Sequence, residues 1–316
     1  MKLSIIIVAW NSSATLARCV NAVLDQVRSM EFEILVVDNA SSDKGYLAAY
    51  RNHDKVILVE NPGNWGFARA NNIGFARARG EFILILNPDV YLISDPFPRL
   101  LSALAANPDL AAIGPMLVEE SGAPQVVGYY YKFPTVLQTL LVRTWLTRMA
   151  FIRALALKYC HSAIQPAGLS RVDQIPGAFL LFHRASIPGP EILKEAYFIW
   201  MEDVDFCRRI ADSGRHVAVL GDEKAIHVGG TTFKMWTTQR KVKTAFISYA
   251  TYLRIHHGPV RYLTDHLILL SNYAFVLAVV ATRDAARLRF RDFTATVRSH
   301  AEILGTILRS MPRFPR

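Results

Sequence analysis

The sequence predicts an α/β protein built on a doubly wound, parallel sheet, and two observations carry that expectation. Aliphatic runs of strand length alternate with amphipathic runs of helix length through the first part of the chain. Three of the strand-like runs also end in polar or acidic residues, at the edge where open α/β sheets bind their ligands.

Leu3 to Ala9 is the first strand. Asn11-Ser12-Ser13 then offers capping side chains, and Leu16, Cys19, Val20, Val23 and Leu24 recur at helical spacing. Phe32 to Val37 is the second strand and runs into Asp38-Asn39-Ala40-Ser41-Ser42-Asp43. Val56 to Val59 is the third and runs into Glu60-Asn61-Pro62-Gly63-Asn64-Trp65-Gly66. A helix from Phe67 to Arg79 leads to Phe82-Ile83-Leu84-Ile85-Leu86, an unbroken apolar run that fits a strand buried on both faces. Pro88 lacks an N–H, so Asn87-Pro88-Asp89 stops this strand and leaves Asp89 at its C-terminal edge. No G-x-G-x-x-G follows the first strand, which excludes the dinucleotide-binding version of the fold.

Beyond Asp89 the alternation weakens. Pro98 to Asn107 reads as a helix, Leu110 to Gly114 as a short strand and Tyr129 to Tyr131 as an aromatic cluster. Val136 to Lys158 is a long amphipathic helical stretch, continuous or interrupted, and Gly177 to Phe182 another strand. Trp200-Met201-Glu202-Asp203-Val204-Asp205 opens a helix that Gly214 closes. Val217 to Leu220 is a last strand, followed by Ala225-Ile226-His227-Val228-Gly229-Gly230.

At 316 residues and 52% hydrophobic content the chain has ample material for a core. Its three cysteines are odd in number, far apart and without metal or redox spacing, which points to a reducing compartment. Lys2 and the apolar run ending at Asn11 read as a strand rather than a signal peptide. Charge is distributed unevenly. Residues from Thr231 onward hold 14 of the 36 Lys and Arg but 4 of the 26 Asp and Glu, leaving 22 of each before them. The whole net charge of +10 therefore sits in the last quarter, which implies an anionic surface as partner.

Several residue types carry chemistry and also have plainer structural readings. Asp89 is either a turn residue or a hard oxygen ligand for a divalent cation that also holds a diphosphate. Glu202, Asp203 and Asp205 either complement a helix dipole or supply a general base; three acids within four residues exceed what capping needs. His227 is a second metal ligand only if it folds beside Asp89. Asp38 is a turn residue or a ligand for a nucleobase or ribose. Asn61, Gly63, Gly66 and Asn72 flank a helix start that can receive a phosphate or sugar.

Taken together, these segments resemble the inverting family 2 glycosyltransferases, in particular the bacterial rhamnosyltransferase-like kind. The resemblance is carried by Val8-Ala9-Trp10-Asn11, Val36-Val37-Asp38-Asn39-Ala40-Ser41-Ser42-Asp43, Asn61-Pro62-Gly63-Asn64-Trp65-Gly66-Phe67-Ala68 and Asn71-Asn72-Ile73-Gly74. It continues through Leu86-Asn87-Pro88-Asp89, Pro176-Gly177-Ala178-Phe179, Glu202-Asp203-Val204-Asp205 with Arg208, and His227-Val228-Gly229-Gly230. These occur in the family's order over roughly residues 1–235. The resemblance implies a GT-A fold over 1–235, with a nucleotide-binding half over 1–90 and an acceptor half over 91–235. It implies that the Ala9 backbone, Asn11, Asp38 and Asn39 hold the nucleotide, and that Asn61, Gly66 and Asn72 line the donor side. Asp89 would be the surviving acid of the family's Asp-x-Asp metal motif, with the neutral Asn87 at its first position, a departure from the full motif. His227 would be a further ligand of the divalent cation, Mg²⁺ or Mn²⁺. Asp203 would be the catalytic base, with Glu202 and Trp200 toward the acceptor.

The implied reaction transfers a sugar, rhamnose from dTDP-rhamnose as the leading expectation, to a lipid-linked or polysaccharide acceptor in cell-surface glycan synthesis. The rival expectations are a nucleotidyltransferase and a non-catalytic sugar-nucleotide-binding scaffold subunit of a membrane glycan assembly. Residues 236–316 are expected to form a helical basic extension. Within it, Leu267 to Thr282 is shorter than the roughly 20 apolar residues that span a bilayer, is interrupted by Ser271-Asn272, and precedes Arg283, Arg287, Arg289, Arg291 and Arg298. That pattern reads as an interfacial membrane element, with a helical cap or dimer interface as the alternative. The expected location is cytoplasmic, on the inner face of a bacterial membrane. No nucleic-acid recognition module is present.

Overall fold

The computed structural model describes residues 1–125, 130–187, 189–229, 236–286, 301–302 and 305–306. Tyr129, Gly230, Arg287, Arg289, Arg291 and Arg298 lie outside the described residues, as does the side chain of Arg283. By its contacts the chain divides into two units, residues 1–133 with 162–234, and residues 134–161 with 235–316.

The first unit is a GT-A-like α/β fold on a mixed, nine-stranded sheet. Its first half is parallel: β1 (Leu3–Ala9) lies between β2 (Phe32–Asp38) and β4 (Phe82–Leu86), and β3 (Val56–Glu60) pairs with β2. Every residue of β1 and β2 is buried, as expected of strands covered on both faces. Alternation divides them: Ile5 and Ile7 face one core with α1 (Leu16–Gln26) and α3 (Phe97–Ala106), whereas Ile6 and Val8 face another with α2 (Phe67–Arg77) and α6 (Glu202–Asp212). Leu16, Cys19, Val20 and Val23 are the buried stripe of α1, each large apolar side chain contributing about 1.5–3 kcal/mol on burial.

The second half of the sheet supplies the antiparallel pairs that make the mostly parallel sheet expected of the GT-A fold a mixed one. β8 (Phe179–His183) runs antiparallel to β4 and to β6 (Leu110–Val118). β9 (His216–His227) is parallel to β6, antiparallel to β7 (Leu169–Val172), and antiparallel at its far end to β5 (Val90–Leu92). An apolar run specifies a buried strand but not its direction, so this mixture was not legible in the sequence. β9 also continues past Leu220 to His227, crossing a register shift against β6 between Pro115 and Met116.

In the second unit the long helical stretch is interrupted at Thr144. Its side chain accepts from the Leu146 N–H and starts a separate turn between α4 (Val136–Arg143) and α5 (Ala150–Cys160). These helices group with α7 (Thr238–His256) and α8 (Pro259–Ala286). A buried polar cluster ties them together: Asp265 of α8 accepts from Tyr249 (3.2 Å), Thr139 and Arg261, and Thr139 and Tyr249 share a further bond of 2.6 Å. The apolar run expected to be too short for a bilayer belongs to a longer helix. Residues Pro259–Val279 are long and apolar enough, by length and composition, to cross a membrane. Asn272, read as an interruption, lies inside that helix and accepts from the Trp145 N–H at 2.8 Å.

Candidate active site

Pro88 turns the chain at the end of β4. Asn87 O accepts from Val90 N–H at 3.1 Å, and Asp89 follows as a buried residue. The turn and the ligand readings of Asn87-Pro88-Asp89 are thus compatible. Val90 pairs with His227 across β5 and β9, and Val228 N–H donates to Asp89 O at 3.0 Å. That pairing brings His227 Nε2 to 3.5 Å from Asp89 Oδ1, both side chains buried.

Gln125 holds the other side of the ring. Its Nε2 donates to the His227 carbonyl at 2.7 Å, and its Oε1 lies 3.0 Å from His227 Nδ1. The carbonyl can only accept, so the amide nitrogen must face it. The amide oxygen then faces Nδ1, which must carry a proton in this arrangement. His227 Nε2, the other ring nitrogen, faces Asp89. A cavity of about 280 Å³ opens beside this group, lined by Glu119, Glu120, Ser121, Gln125, His227 and Val228.

The three acids at the start of α6 have three different environments. Asp205 is fully buried and accepts from Arg209 Nε at 2.9 Å and Tyr197 OH at 3.3 Å, which makes it a structural group. Glu202 is buried, its Oε2 has no hydrogen-bond partner, and burial followed by the neighbouring Asp203 charge raises its pKa well above the usual carboxylate range. Asp203 is half-buried. Its Oδ2 accepts from Gly177 N–H at 2.9 Å and its Oδ1 from Val204 N–H at 2.8 Å. Burial lifts its pKa, and these N–H groups oppose the lift. Gly177 precedes Ala178, whose carbonyl accepts from Asn87 N–H at 2.9 Å, so the Asp203 and Asn87-Pro88-Asp89 segments meet through two consecutive residues.

Backbone strain gathers at the same edge. Among the described residues, the non-glycine residues with positive φ are Asn11 (50°), Ala40 (60°), Trp200 (65°) and Met201 (72°). Two follow β1 and β2, and two open α6. Such conformations cost about 1 kcal/mol or more each and persist where surrounding contacts over-determine them.

The polar loop residues mostly bind the protein's own chain. Asn39 donates to Asn64 Oδ1 at 2.9 Å and to Gly66 O at 3.1 Å, and accepts from Trp65 N–H at 3.1 Å and from Asn61 Nδ2 at 3.3 Å. Its own N–H donates to the Ala9 carbonyl at 2.7 Å. Asn11 Oδ1 accepts from the N–H and hydroxyl of Ser42. Asp38 is buried and accepts from Ser41 N–H at 3.3 Å, with Lys44 Nζ at 3.5 Å. Asn72, expected on the donor side, is bonded within the chain. Its Nδ2 donates to Leu193 O and Glu195, its Oδ1 accepts from the N–H groups of Ile192 and Leu193, and this uses all its capacity. Gly66 likewise makes room for the chain itself, since a Cβ there would stand 2.4 Å from the Phe198 carbonyl.

Residues 4–155 match the family described as Glycosyl transferase family 2. The chain is 25% identical over 229 residues to the low-salt glycan biosynthesis hexosyltransferase Agl10 of Haloferax volcanii, an alignment covering 71% of this chain and 66% of that protein. It is 25% identical over 209 residues to the N-acetylglucosaminyl-diphospho-decaprenol L-rhamnosyltransferase of Mycobacterium tuberculosis, covering 61% of this chain and 66% of that one. The chain thus spans just under two thirds of these relatives. Among solved structures, the mannosyltransferase PcManGT from Pyrobaculum calidifontis, in complex with GDP-Man and Mn²⁺, superposes with a TM-score of 0.55 at 15% identity, covering 99% of this chain and 88% of that one. GalNAc-T7 with UDP, GalNAc and Mn²⁺ does so with a TM-score of 0.55 at 15% identity, covering 78% and 48%. These two likenesses show the fold. Over residues 4–155 the chain is similar to the family 2 glycosyltransferases, and its fold is GT-A-like.

The sheet brings together Asp89 and His227, which are far apart in sequence, and links Asn87 to Asp203 through Gly177-Ala178. The donor set fits a divalent cation. A carboxylate oxygen and an imidazole nitrogen 3.5 Å apart have the spacing of neighbouring ligands on one ion. Among the described residues no third His, Cys, Asp or Glu joins them, so the remaining positions would fall to diphosphate oxygens and water. Gln125 was missed in the sequence, where an isolated glutamine beside Pro124 carries no signal. Gly177 was legible only as part of the Pro176-Gly177-Ala178-Phe179 segment.

Proposed function

We propose that this chain is an inverting glycosyltransferase that moves one sugar from a nucleoside diphosphate donor to a hydroxyl of a glycan acceptor. The observation that carries the reading is the meeting of Asp89, His227 and the Asp203 segment at one sheet edge, although they are scattered in the sequence. Asp203 is the general base. An acceptor hydroxyl oxygen attacks the anomeric carbon, its proton passes to an Asp203 carboxylate oxygen, and the bond from the anomeric carbon to the diphosphate oxygen breaks. Attack opposite the leaving group inverts the anomeric centre. Gly177 and Val204 N–H groups fix the carboxylate's direction, and the turn at Trp200-Met201 sets the start of α6 that carries it. Asp89 and His227 would hold the divalent cation, Mg²⁺ or Mn²⁺, which when bound neutralises charge on the departing diphosphate.

The nucleotide end of the donor belongs at Ala9, Asn11 and Asp38, where β1 and β2 end. A deoxysugar donor such as dTDP-rhamnose and a lipid-linked acceptor are the finer reading, supported by the resemblance to the mycobacterial L-rhamnosyltransferase. A lipid-linked acceptor suits a protein held on the inner face of a bacterial membrane, and the apolar helix α8 supports that placement. The test is a screen of nucleotide sugars for release of nucleoside diphosphate, with and without EDTA. At least one donor should be turned over and EDTA should abolish the turnover. Turnover of no donor would remove the reading, and full activity in excess EDTA would remove the cation from it.

A further inference from the structure

We propose that the helical segment 149–159, within the 134–161 excursion, is a docking surface for an anionic lipid bilayer. This rests on the membrane placement above and assigns it to residues that no part of that reading uses.

The first observation is where exposed apolar residues lie. Among the described residues, the exposed large apolar side chains of the first unit are Met1, Ile93 and Phe198, and all the others belong to the second unit. They are dense on α5. That helix buries a single stripe, Ile152, Ala156 and Cys160, at i, i+4 and i+8. Phe151 (58% exposed), Leu157 (46%) and Tyr159 (48%) remain in water, with Leu155 and Met149 beside them. Helices of soluble proteins place polar side chains at such positions, and a contiguous apolar patch marks an interaction site.

The second observation is charge. No Asp or Glu stands between Glu120 and Asp173. In the helical part of that stretch Arg143, Arg148, Arg153 and Lys158 recur every fifth residue. Arg143 packs over the Tyr249 ring at 4.0 Å, whereas Arg148, Arg153 and Lys158 are exposed beside the apolar residues. An amphipathic helix with bulky apolar side chains, flanking cations and no acids matches a lipid interface with anionic headgroups. The same charge disfavours the two other occupants. A second copy would set like charges against like, and residues 287–316 of this chain, with seven Arg against Asp292 and Glu302, are themselves basic.

The test uses the full chain and phosphatidylglycerol-containing vesicles, with phosphatidylcholine vesicles as the uncharged control. The native cysteines are all buried, so Leu155→Cys can be labelled alone with an environment-sensitive fluorophore. Its emission should shift to the blue on anionic vesicles and return in high salt. Replacing Arg148, Arg153 and Lys158 together by Gln should weaken vesicle partitioning about a hundredfold, from the typical contribution of a basic side chain near an anionic surface, with donor turnover in solution unchanged. If the wild-type chain ignores vesicles, the membrane placement fails and this proposal with it. If the chain binds vesicles while the probe does not shift and the triple variant binds equally well, the placement survives and the 149–159 surface is ruled out. A blue shift without lipid that vanishes on dilution would make the surface a contact between copies and overturn the proposal.

Discussion

The amide-rich loops after β1, β2 and β3 sit on one sheet edge with Asp89 after β4, His227 at the end of β9 and the acids at the start of α6, yet the two sets use polar groups differently. In the loops and the helix α2 that follows them the side chains turn inward: Asn39 bonds Asn64, Gly66, Trp65 and Asn61, and Asn72 of α2 clasps residues 192–193. In the second set the protein supports the groups from behind. Gln125 braces His227, and two backbone N–H groups brace Asp203. Asn39 and Asn72 spend their polar groups on fixing backbone shape, whereas the proposed roles of Asp89, Asp203 and His227 need polar groups directed at a ligand. A residue's position on the ligand edge therefore does not by itself make its side chain a ligand.

Substitutions separate the two behaviours. The largest effect is expected at Asp203. Asp203→Asn keeps the size and removes the base, so turnover should fall about 100-fold or more with donor KM little changed. Asp205→Asn, two residues further along α6 and ion-paired to Arg209, should act mainly on the melting temperature. Because burial raises the Asp203 pKa, wild-type turnover should rise with pH along a limb above the ordinary aspartate range, as the base form appears. A near-normal rate in Asp203→Asn would move the base elsewhere.

Next is Asn39→Ala, which leaves several loop groups unpaired and should destabilise the fold by about 2–3 kcal/mol in denaturant unfolding. An unchanged midpoint with a large rise in donor KM would instead make Asn39 a ligand and blur the division. Gln125→Leu should weaken Mn²⁺ binding, read by calorimetry, about tenfold, as removal of an outer partner of a ligating histidine does. Equal affinity would show that His227 needs no brace.

The last prediction is read as a slope. Glu202 has its pKa raised in the folded state, so the folded protein holds a proton that the unfolded chain releases once pH exceeds the ordinary glutamate value. Stability should then fall as pH rises from that value toward the raised one. Glu202→Gln should flatten this part of the profile and raise the melting temperature at neutral pH without changing it in acid. The same slope in both proteins would assign it to another group.

The sequence by itself determined seven of the nine strands, missing the short β5 and β7, along with most helices and the chemical character of the ligand edge. Apolar alternation, Pro88, and the polar residues closing each strand are local signals, set by backbone sterics and by the requirement to bury one face. It also marked Asp89, Asp203 and His227 as chemically apt. Only tertiary structure decided which of these residues meet. The 3.5 Å approach of Asp89 to His227 depends on β5 pairing with β9, and β8 lies antiparallel between β4 and β6. Strand pairing is a long-range choice that no local pattern records. The inward bonding of Asn39 and Asn72, the bracing by Gln125, and the grouping of residues 134–161 with the C-terminal helices were hidden for the same reason. An amide's identity is written in the chain, but its partner is set by where the fold brings a complementary donor or acceptor.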